Sequence, residues 1–492
     1  MNEEKSTCAS STSTSSSWNS IDWKKCECRV RKLQVRIAKA CNEGRYNKVK
    51  SLQRLLVTSF SAKALAVKRV TSNKGKRTSG IDHVKWTTPE LKMSGIQSLR
   101  KRGYRPSPLK RIYISKSNGK KRPLGIPTMK DRSMQALYLQ SLEPVTETQA
   151  DGDSYGFRRY RSAADAIEML HSCLSHHNSA QWVLEGDIKG CFDHISHDWL
   201  LTHIPMDKDI LRKWLECGVV FNKLLLPTKM GTPQGGIASP TLANATLDGI
   251  EYLLWRDYRR KRVDGKLYCP KVNLIRYADD FVITGDTPEI LEEIKLKLTT
   301  FLAERGLTLS AEKTLITHIS EGFDFLGFTI RKYKDKCLII PSAKSQKRLL
   351  EKTHDILLRY GKQSDQQYLI DHLNPLLRGW GNYYRHVCSK RIFSKLNHLI
   401  CMQIRRWTVR RHPHKSRTWR INKYFIRHGS RGWIFGFRYE DKDTTKIYSL
   451  LNLSDIPIVR HAKIRKKANP FDREWDNYFQ RRCISSNRIR SA

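Results

Sequence analysis

No stretch of this chain holds about 18 consecutive apolar residues, so nothing in it suggests a membrane-spanning helix. The opening MNEEKSTCASSTSTSSSWNS lacks a basic n-region and an apolar h-region, so no secretory signal is evident. The expected location is therefore intracellular, in the cytoplasm. Twelve cysteines among 492 residues are too few and too scattered for a disulfide scaffold. Cys26 and Cys28 form a CxC, and Cys173, His176 and His177 cluster, but neither group has a second well-spaced pair, so a structural zinc site is not expected. No internal repeat is visible. Acids are scarce, with 47 Asp+Glu against 91 Lys+Arg.

That imbalance is the first positive signal. A net charge of +44 and a pI near 10 exceed what a few solvated faces supply. They predict attraction to a polyanion, nucleic acid first, with strongly salt-dependent affinity. The 39% hydrophobic content is enough for real cores, and the length suggests several domains.

Along the chain, residues 1–20 are Ser/Thr-rich and read as a disordered tail. Residues 21–99 alternate apolar and basic positions at helical spacing, interrupted by the turn-rich TSNKGKRTSGIDH. RIYISKSNGKKRPLGIPTMKDR reads as strand, Asn-Gly turn, strand, and residues 101–140 carry eleven Lys/Arg and one acid. From about 141 to 340, strands and helices alternate in an α+β pattern. VLEGDIKGCFDHI is a strand entering a turn or helix; GTPQGGIASPTLANATLDGIEYLLW reads as a loop opening one long helix. LIRYADDFVITG reads as strand, turn, strand, and GFDFLGFTI as another apolar strand pair. After Pro341 the pattern turns helical and more basic, with 34 Lys/Arg and 11 Asp/Glu over 341–492.

The unusual chemistry lies in RYADDFVITG. Asp279 and Asp280 stand side by side between β-forming runs, with no Gly to make an ordinary exposed turn. Their like-charge repulsion is the kind a divalent cation relieves. Asp187, ending an apolar strand 92 residues earlier, is a third acid able to meet Asp279 on a neighbouring strand. Hard oxygen ligands suit Mg²⁺ shared with substrate phosphates, and two such ions can activate a 3′-hydroxyl and stabilise a pyrophosphate leaving group.

RPLGIPTMKDR, SYGFRRYRSAADA, DIKGCFD, GTPQGGIASP, RYADD, LTLSAEKT and GFDFLGF follow one another in an order that resembles the bacterial group II intron-encoded reverse transcriptases, and LRGWGNYYR resembles their thumb, or X, domain. The resemblance runs from about Ile21 to Gln480. It implies an α+β right-hand polymerase: fingers and a palm with an antiparallel sheet over 100–340, preceded over 21–99 by a basic helical extension with an RT0-type loop. A helical thumb/maturase domain over 341–424 and a basic, DNA-binding-like region over 425–492 would follow.

Residue by residue, the resemblance makes Asp187, Asp279 and Asp280 the catalytic carboxylates. They would hold two Mg²⁺ ions with the Ile188 carbonyl as an extra ligand. Lys116 and Arg122, on opposite arms of the SNGKKR hairpin, would converge on the dNTP triphosphate. Phe192 would crowd a 2′-hydroxyl, and Gln234 would lie beside the nascent base pair, Gly235 and Gly236 permitting close backbone approach. Lys313 would protonate the departing pyrophosphate. Phe325, Leu326 and Gly327 would form the primer grip.

Arg405, Arg406, Arg410 and Arg411, interleaved with aromatics, would face RNA, while Trp380 and Tyr383 pack. The chain departs from the family at Arg159-Tyr160, where Pro-Gly is usual, a change expected to reshape the loop near the template. KIRKKANPFDREWDNYFQRR resembles the tail that leads to an HNH endonuclease, whose paired Cys and His do not follow, so second-strand cutting is not expected.

The function implied is RNA-directed DNA polymerase and maturase. The expected partners are the group II intron RNA, an RNA template with a DNA primer, dNTPs and target DNA, with no membrane. The alternative is a related enzyme freed from its intron and used in repair or phage defence.

Overall fold

The computed structural model describes residues 17–115, 119, 121–222, 224–263, 265–359, 364–428, 431–441 and 444–491. It opens on helices α1 (Trp23–Asn42), α2 (Tyr46–Thr58), α3 (Phe60–Ser72) and α4 (Pro89–Ser98). Their starts are written in the sequence. The Asp22, Ser59 and Thr88 side chains accept from backbone N–H groups of the first turns of α1, α3 and α4, and Pro89 opens α4 where its missing N–H costs nothing. The tail expected to be disordered over 1–20 needs correction at its end, since Trp18–Ser20 make a helical turn with the Trp18 ring 4.8 Å from that of Trp23.

Strands β1 (Leu109–Ser115) and β2 (Lys121–Ile126) lead to helix α5 (Met129–Gln149), on which α1, α2 and α3 pack. Helix α5 contains Pro144, which cannot donate to the Gln140 carbonyl one turn back. Gln34 on α1 supplies the missing donor, its Nε2 bonding that carbonyl at 2.8 Å, and Gln53 on α2 bonds the neighbouring Ser141 carbonyl at 3.1 Å. A buried backbone acceptor is thus satisfied by side chains from the surrounding helices.

Next come α6 (Ala163–Leu174), β3 (Trp182–Asp187), α7 (Cys191–His194), α8 (His197–His203), α9 (Lys208–Glu216), β4 (Val219–Phe221) and β5 (Leu224–Leu226). The segment read as one long helix is two, α10 (Ser239–Leu247) and α11 (Ile250–Tyr258). Asp248 and Gly249 break it, Gly249 with φ +103°, a value that side-chain-bearing residues avoid. Strands β6 (Lys261–Val263), β7 (Lys266–Tyr268), β8 (Asn273–Tyr277) and β9 (Asp280–Gly285), helix α12 (Pro288–Ala303) and strands β10 (Leu315–His318), β11 (Phe323–Phe325), β12 (Phe328–Tyr333) and β13 (Lys336–Pro341) complete this half.

Two sheets position the site. The finger-side sheet has the order β2-β1-β4-β5, and the palm sheet has the antiparallel order β10-β3-β9-β8. Strands β3, β8 and β9 are apolar on both faces. Leu184, Leu274, Phe281 and Ile283 point into one core, shared with α5 and α12; Val183, Ile275 and Val282 point into a second, shared with α6 and the C-terminal half. Successive side chains on a strand alternate faces, so β3, β8 and β9 each feed both cores.

Helices α13 (Ala343–Arg359), α14 (Gln366–Tyr384), α15 (Lys390–Arg411) and α16 (Arg417–Tyr424) form the helical bundle. The chain does not stay helical as the pattern suggested. Strands β14 (Phe425–His428), β15 (Arg431–Asp441) and β16 (Thr444–Ser449) form an antiparallel sheet, followed by helix α17 (Asp476–Ser491). Residues 461–482 return across the molecule as a strap. Lys466 pairs with Asp153 at 2.8 Å and with Glu251, His461 and Arg482 reach Asp165 at 2.9 and 2.6 Å, and Asp476 meets Arg31 of α1 at 2.8 Å.

Candidate active site

Antiparallel pairing of β3 with β9 sets Asp187 directly opposite Asp280, and pairing of β8 with β9 sets Tyr277 opposite Asp280. Ala278 and Asp279 are left as the two-residue turn, Ala278 at φ +60°. Such a turn ordinarily uses Gly, so a non-glycine residue there stores strain at the tip. Behind the tip, Gly186 faces Phe281, and a Cβ on residue 186 would come within 2.2 Å of that ring. Gly156 backs the turn as closely, 2.4 Å from the Ala278 nitrogen by the same measure.

The turn is anchored by a buried guanidinium. Arg276, fully buried on β8, pairs with Asp248 and bonds the Asn244 side chain at 3.2 Å, with Asp151 4.0 Å away. Burial pushes the Asp248 carboxyl up and Arg276 pulls against it. The sequence reading missed this network; its one signal was an acid at the break between α10 and α11.

At the tip the electrostatics oppose ionisation. Desolvation by the surrounding walls and repulsion from Asp279 and Asp187 push the Asp280 carboxyl up to about 7, although its own side chain is open to solvent. Asp279 is raised as well, first by desolvation and then by Asp187, while Arg122 and Lys313 oppose the shift. Lys313 answers with an ammonium 2.7 Å from Asp187, and that hydrogen bond raises the pKa of the lysine. Lys313 reaches this point because its segment is stitched to β3, with Ser310 N donating to the Asp187 carbonyl at 2.8 Å and Lys189 N to the Thr308 carbonyl at 3.0 Å. Ile188 lies in a bridge with Leu309 between those two bonds, neither of which uses its carbonyl.

Among the described residues, no group of three or more His, Cys, Asp or Glu side chains has the spacing of a finished metal site. The donor set still fits a divalent cation, being hard carboxylate oxygens crowded against like charge and partly neutralised by one lysine.

Next along the chain from Asp187, α7 lends Phe192 and Asp193 to the wall of a cavity of about 370 Å³, lined also by Arg111, Pro123, Thr232 and Gln234 among others. Phe192 sits on α7, its ring 6.4 Å from Phe157 and edge-on. The GTPQGG loop docks by Thr232 N to the Phe192 carbonyl and by Gly125 N to the Gln234 carbonyl, both 2.7 Å. Gly235, at φ +113°, lies so near the Gly125 carbonyl that a Cβ would stand 2.7 Å from its oxygen. Arg122, on β2 beside this loop, acts on Asp279. Lys116 lies outside the described residues.

Phe325 ends β11, and Leu326 and Gly327 turn the chain into β12 with φ +51° and +84°. Tyr383 and Tyr384 of α14 pin that turn, donating to the Leu326 and Gly327 carbonyls at 2.9 and 3.1 Å. Tyr383 is thus an exposed clamp as well as a packing residue. Trp380 packs on Tyr384 and Phe393 as expected.

Arg406 and Arg410 on α15 are exposed, but Arg405 lies over the Trp433 ring at 4.5 Å and Arg411 donates to the Ser364 carbonyl at 2.5 Å. Those two are at least partly held by the fold. Arg159 and Tyr160, where the chain departs from the family, receive the strap. Arg159 pairs with Glu143 and lies 5.3 Å from the Phe471 ring, and Tyr160 packs on Phe479 at 4.7 Å.

Comparison with known proteins agrees with this geometry. Residues 114–330 match the family described as reverse transcriptase (RNA-dependent DNA polymerase). Residues 18–99 match the N-terminal domain of reverse transcriptase, and 346–425 the group II intron, maturase-specific domain. The group II intron-encoded protein LtrA of Lactococcus lactis subsp. cremoris is 33% identical over 368 residues, covering 62% of this chain. The chain spans 61% of LtrA's own length. Protein YkfC of Escherichia coli (strain K12) is 32% identical over 322 residues, 58% of this chain and 84% of YkfC. A solved telomerase from Candida albicans covers 66% of this chain and 64% of its own at 12% identity, with a TM-score of 0.35.

Proposed function

This chain belongs to the reverse transcriptases encoded by group II introns, and from that membership we propose that it is an RNA-directed DNA polymerase that also binds its own intron RNA as a maturase. The observation that carries the polymerase reading is the strand register that gathers Asp187, Asp279 and Asp280, with Arg122 and Lys313 close enough to act on Asp279. The family generally uses divalent ions. Here Asp187, Asp279 and Asp280 would hold two Mg²⁺ with the Ile188 carbonyl, and the chemistry these supply when bound is deprotonation of a primer 3′-hydroxyl and neutralisation of the triphosphate.

The protein's own groups do the rest. Arg122, with Lys116, draws the triphosphate of the incoming dNTP into line. Phe192 stands where a ribose 2′-hydroxyl would need room, favouring dNTPs. Gln234, fixed through its backbone to β2, presents its side chain beside the new base pair. Lys313, already protonated on Asp187, is placed to give its proton to the departing pyrophosphate oxygen. Phe325, Leu326 and Gly327 hold the primer end, and Arg406 and Arg410 contact intron RNA, with Arg405 and Arg411 supporting them. Target DNA is the further partner this reading implies.

Primer extension on an RNA template tests it. Asp279→Asn abolishes Mg²⁺-dependent cDNA synthesis and leaves RNA binding nearly intact; equal synthesis by the variant would sink the carboxylate assignment. Phe192→Ala lowers discrimination against rNTPs, and an unchanged rNTP/dNTP ratio would make Phe192 a packing residue only.

A further inference from the structure

Helix α11 has two apolar faces, one more than a surface helix needs. Ile250 and Leu254 are buried, with Leu253 and Tyr258 packed against the same core, and the helix rests on β8, the edge strand of the palm sheet, and on α12. The opposite face runs through Tyr252, Trp255 and Arg256, which are spaced i, i+3 and i+4 and so form one stripe, and Arg259 follows at the helix end. Tyr252 is 63% exposed and Trp255 58%, their ring centroids 6.1 Å apart and tilted by 31°. The Arg259 guanidinium lies 5.6 Å from the Trp255 ring.

Arg260, Lys261 and Arg262 follow, all exposed. The one acid between Tyr252 and Val263 is Asp257, which is taken up by Arg256 at 2.7 Å and Lys297 at 3.0 Å. None of these stripe residues lines the cavity walled by Phe192 and Gln234.

Large aromatic rings left in water, rimmed by cations and lacking free acids, match one kind of ligand. Unpaired bases stack on such rings while their phosphates take the arginines and lysines. A protein partner would more often meet an aromatic patch with depleted lysine and a polar rim of both signs. We infer that the outer face of α11 and the chain leading into β6 form a second RNA site, for a single-stranded segment, separate from the polymerase cleft. This rests on reading the chain as an RNA-bound polymerase, and it places a contact to the bound RNA on the palm's edge.

The test uses the full chain with its cleft first saturated by an RNA–DNA template–primer hairpin. A fluorescent, unstructured 12-nucleotide RNA is then titrated in and followed by anisotropy at several KCl concentrations. Wild type binds the added RNA. Tyr252→Ala with Trp255→Ala binds it about tenfold or more weakly, as expected for loss of two stacking platforms. Arg259→Gln with Arg260→Gln and Lys261→Gln flattens the slope of log affinity against log salt by about 2. Primer extension from the hairpin is unchanged in both variants.

The proposal is overturned if the loaded wild type binds no second RNA, if both variants bind it like wild type, or if a DNA 12-mer of the same sequence binds tighter than the RNA. Wild type that fails to extend primers yet binds the 12-mer through these residues would discard the polymerase reading and leave the surface standing.

Discussion

Asp280 is held where its charge is costly. Its carboxyl is pushed up to about 7 by desolvation and by Asp279 and Asp187, against an ordinary value near 3.9. A carboxyl raised on folding weakens the fold once the pH climbs above the unfolded value, and the penalty is complete above the folded one. In EDTA, Asp280→Asn therefore melts higher than wild type at pH 8, by about 2 °C or more after discounting for solvent screening. The gap shrinks as the pH falls and closes below about 4. A gap that does not change with pH would show that the acids do not repel one another. The sequence made two acids in a strand conspicuous; it could not say that Asp279 is the turn residue and Asp280 the strand residue facing Asp187, because that depends on register.

The turn at Leu326 and Gly327 belongs to the scale of elements. Leu326 is in the left-handed region at φ +51°, and hydroxyls 57 residues away hold it there. Tyr383→Phe with Tyr384→Phe keeps the rings and removes both donors, leaving the Leu326 and Gly327 carbonyls without those bonds. Loss of a hydrogen bond of this kind costs about 1 kcal/mol each. Processivity on a long template should fall several-fold, with single-nucleotide addition nearly unchanged, in a gel assay with a trap for released enzyme; equal product lengths would mean the clamp does not act on the primer. GFDFLGF was legible as a strand pair because its apolar pattern is local. The tyrosines were not legible as its clamp, since a bond between distant elements leaves no mark on periodicity. The same limit explains α10 and α11, whose apolar spacing runs straight through a break that only the Gly249 backbone requires.

For the whole molecule, the motif order made the polymerase half legible, and the return of residues 461–482 was not. Nothing in a basic tail says which acids it will meet. Asp165 shows the dependence most clearly. Burial alone would raise its carboxyl, but His461, Arg482 and the Ser162 hydroxyl hold it below the usual range. A depressed carboxyl adds stability that is present above its unfolded value and fades as the pH falls through the folded one. Asp165→Asn leaves Arg482 without its buried counter-charge and should cost about 3 kcal/mol. Limited trypsin digestion would then cut within 461–482 faster than in wild type; equal cleavage rates would mean the strap is held by its other contacts.

The strap also sets an order in time. A ribosome releases residues 461–482 only after α1, α6 and the palm, and those are the parts to which Arg31, Asp165, Asp153 and Glu251 belong. Domains fold as they emerge, N-terminal first, so the nascent chain carries unmatched acids and a bare landing strip until translation has passed the last of its contacts. A transcript cut short before that point would yield a chain with Asp187, Asp279 and Asp280 in place and its seam open to proteases.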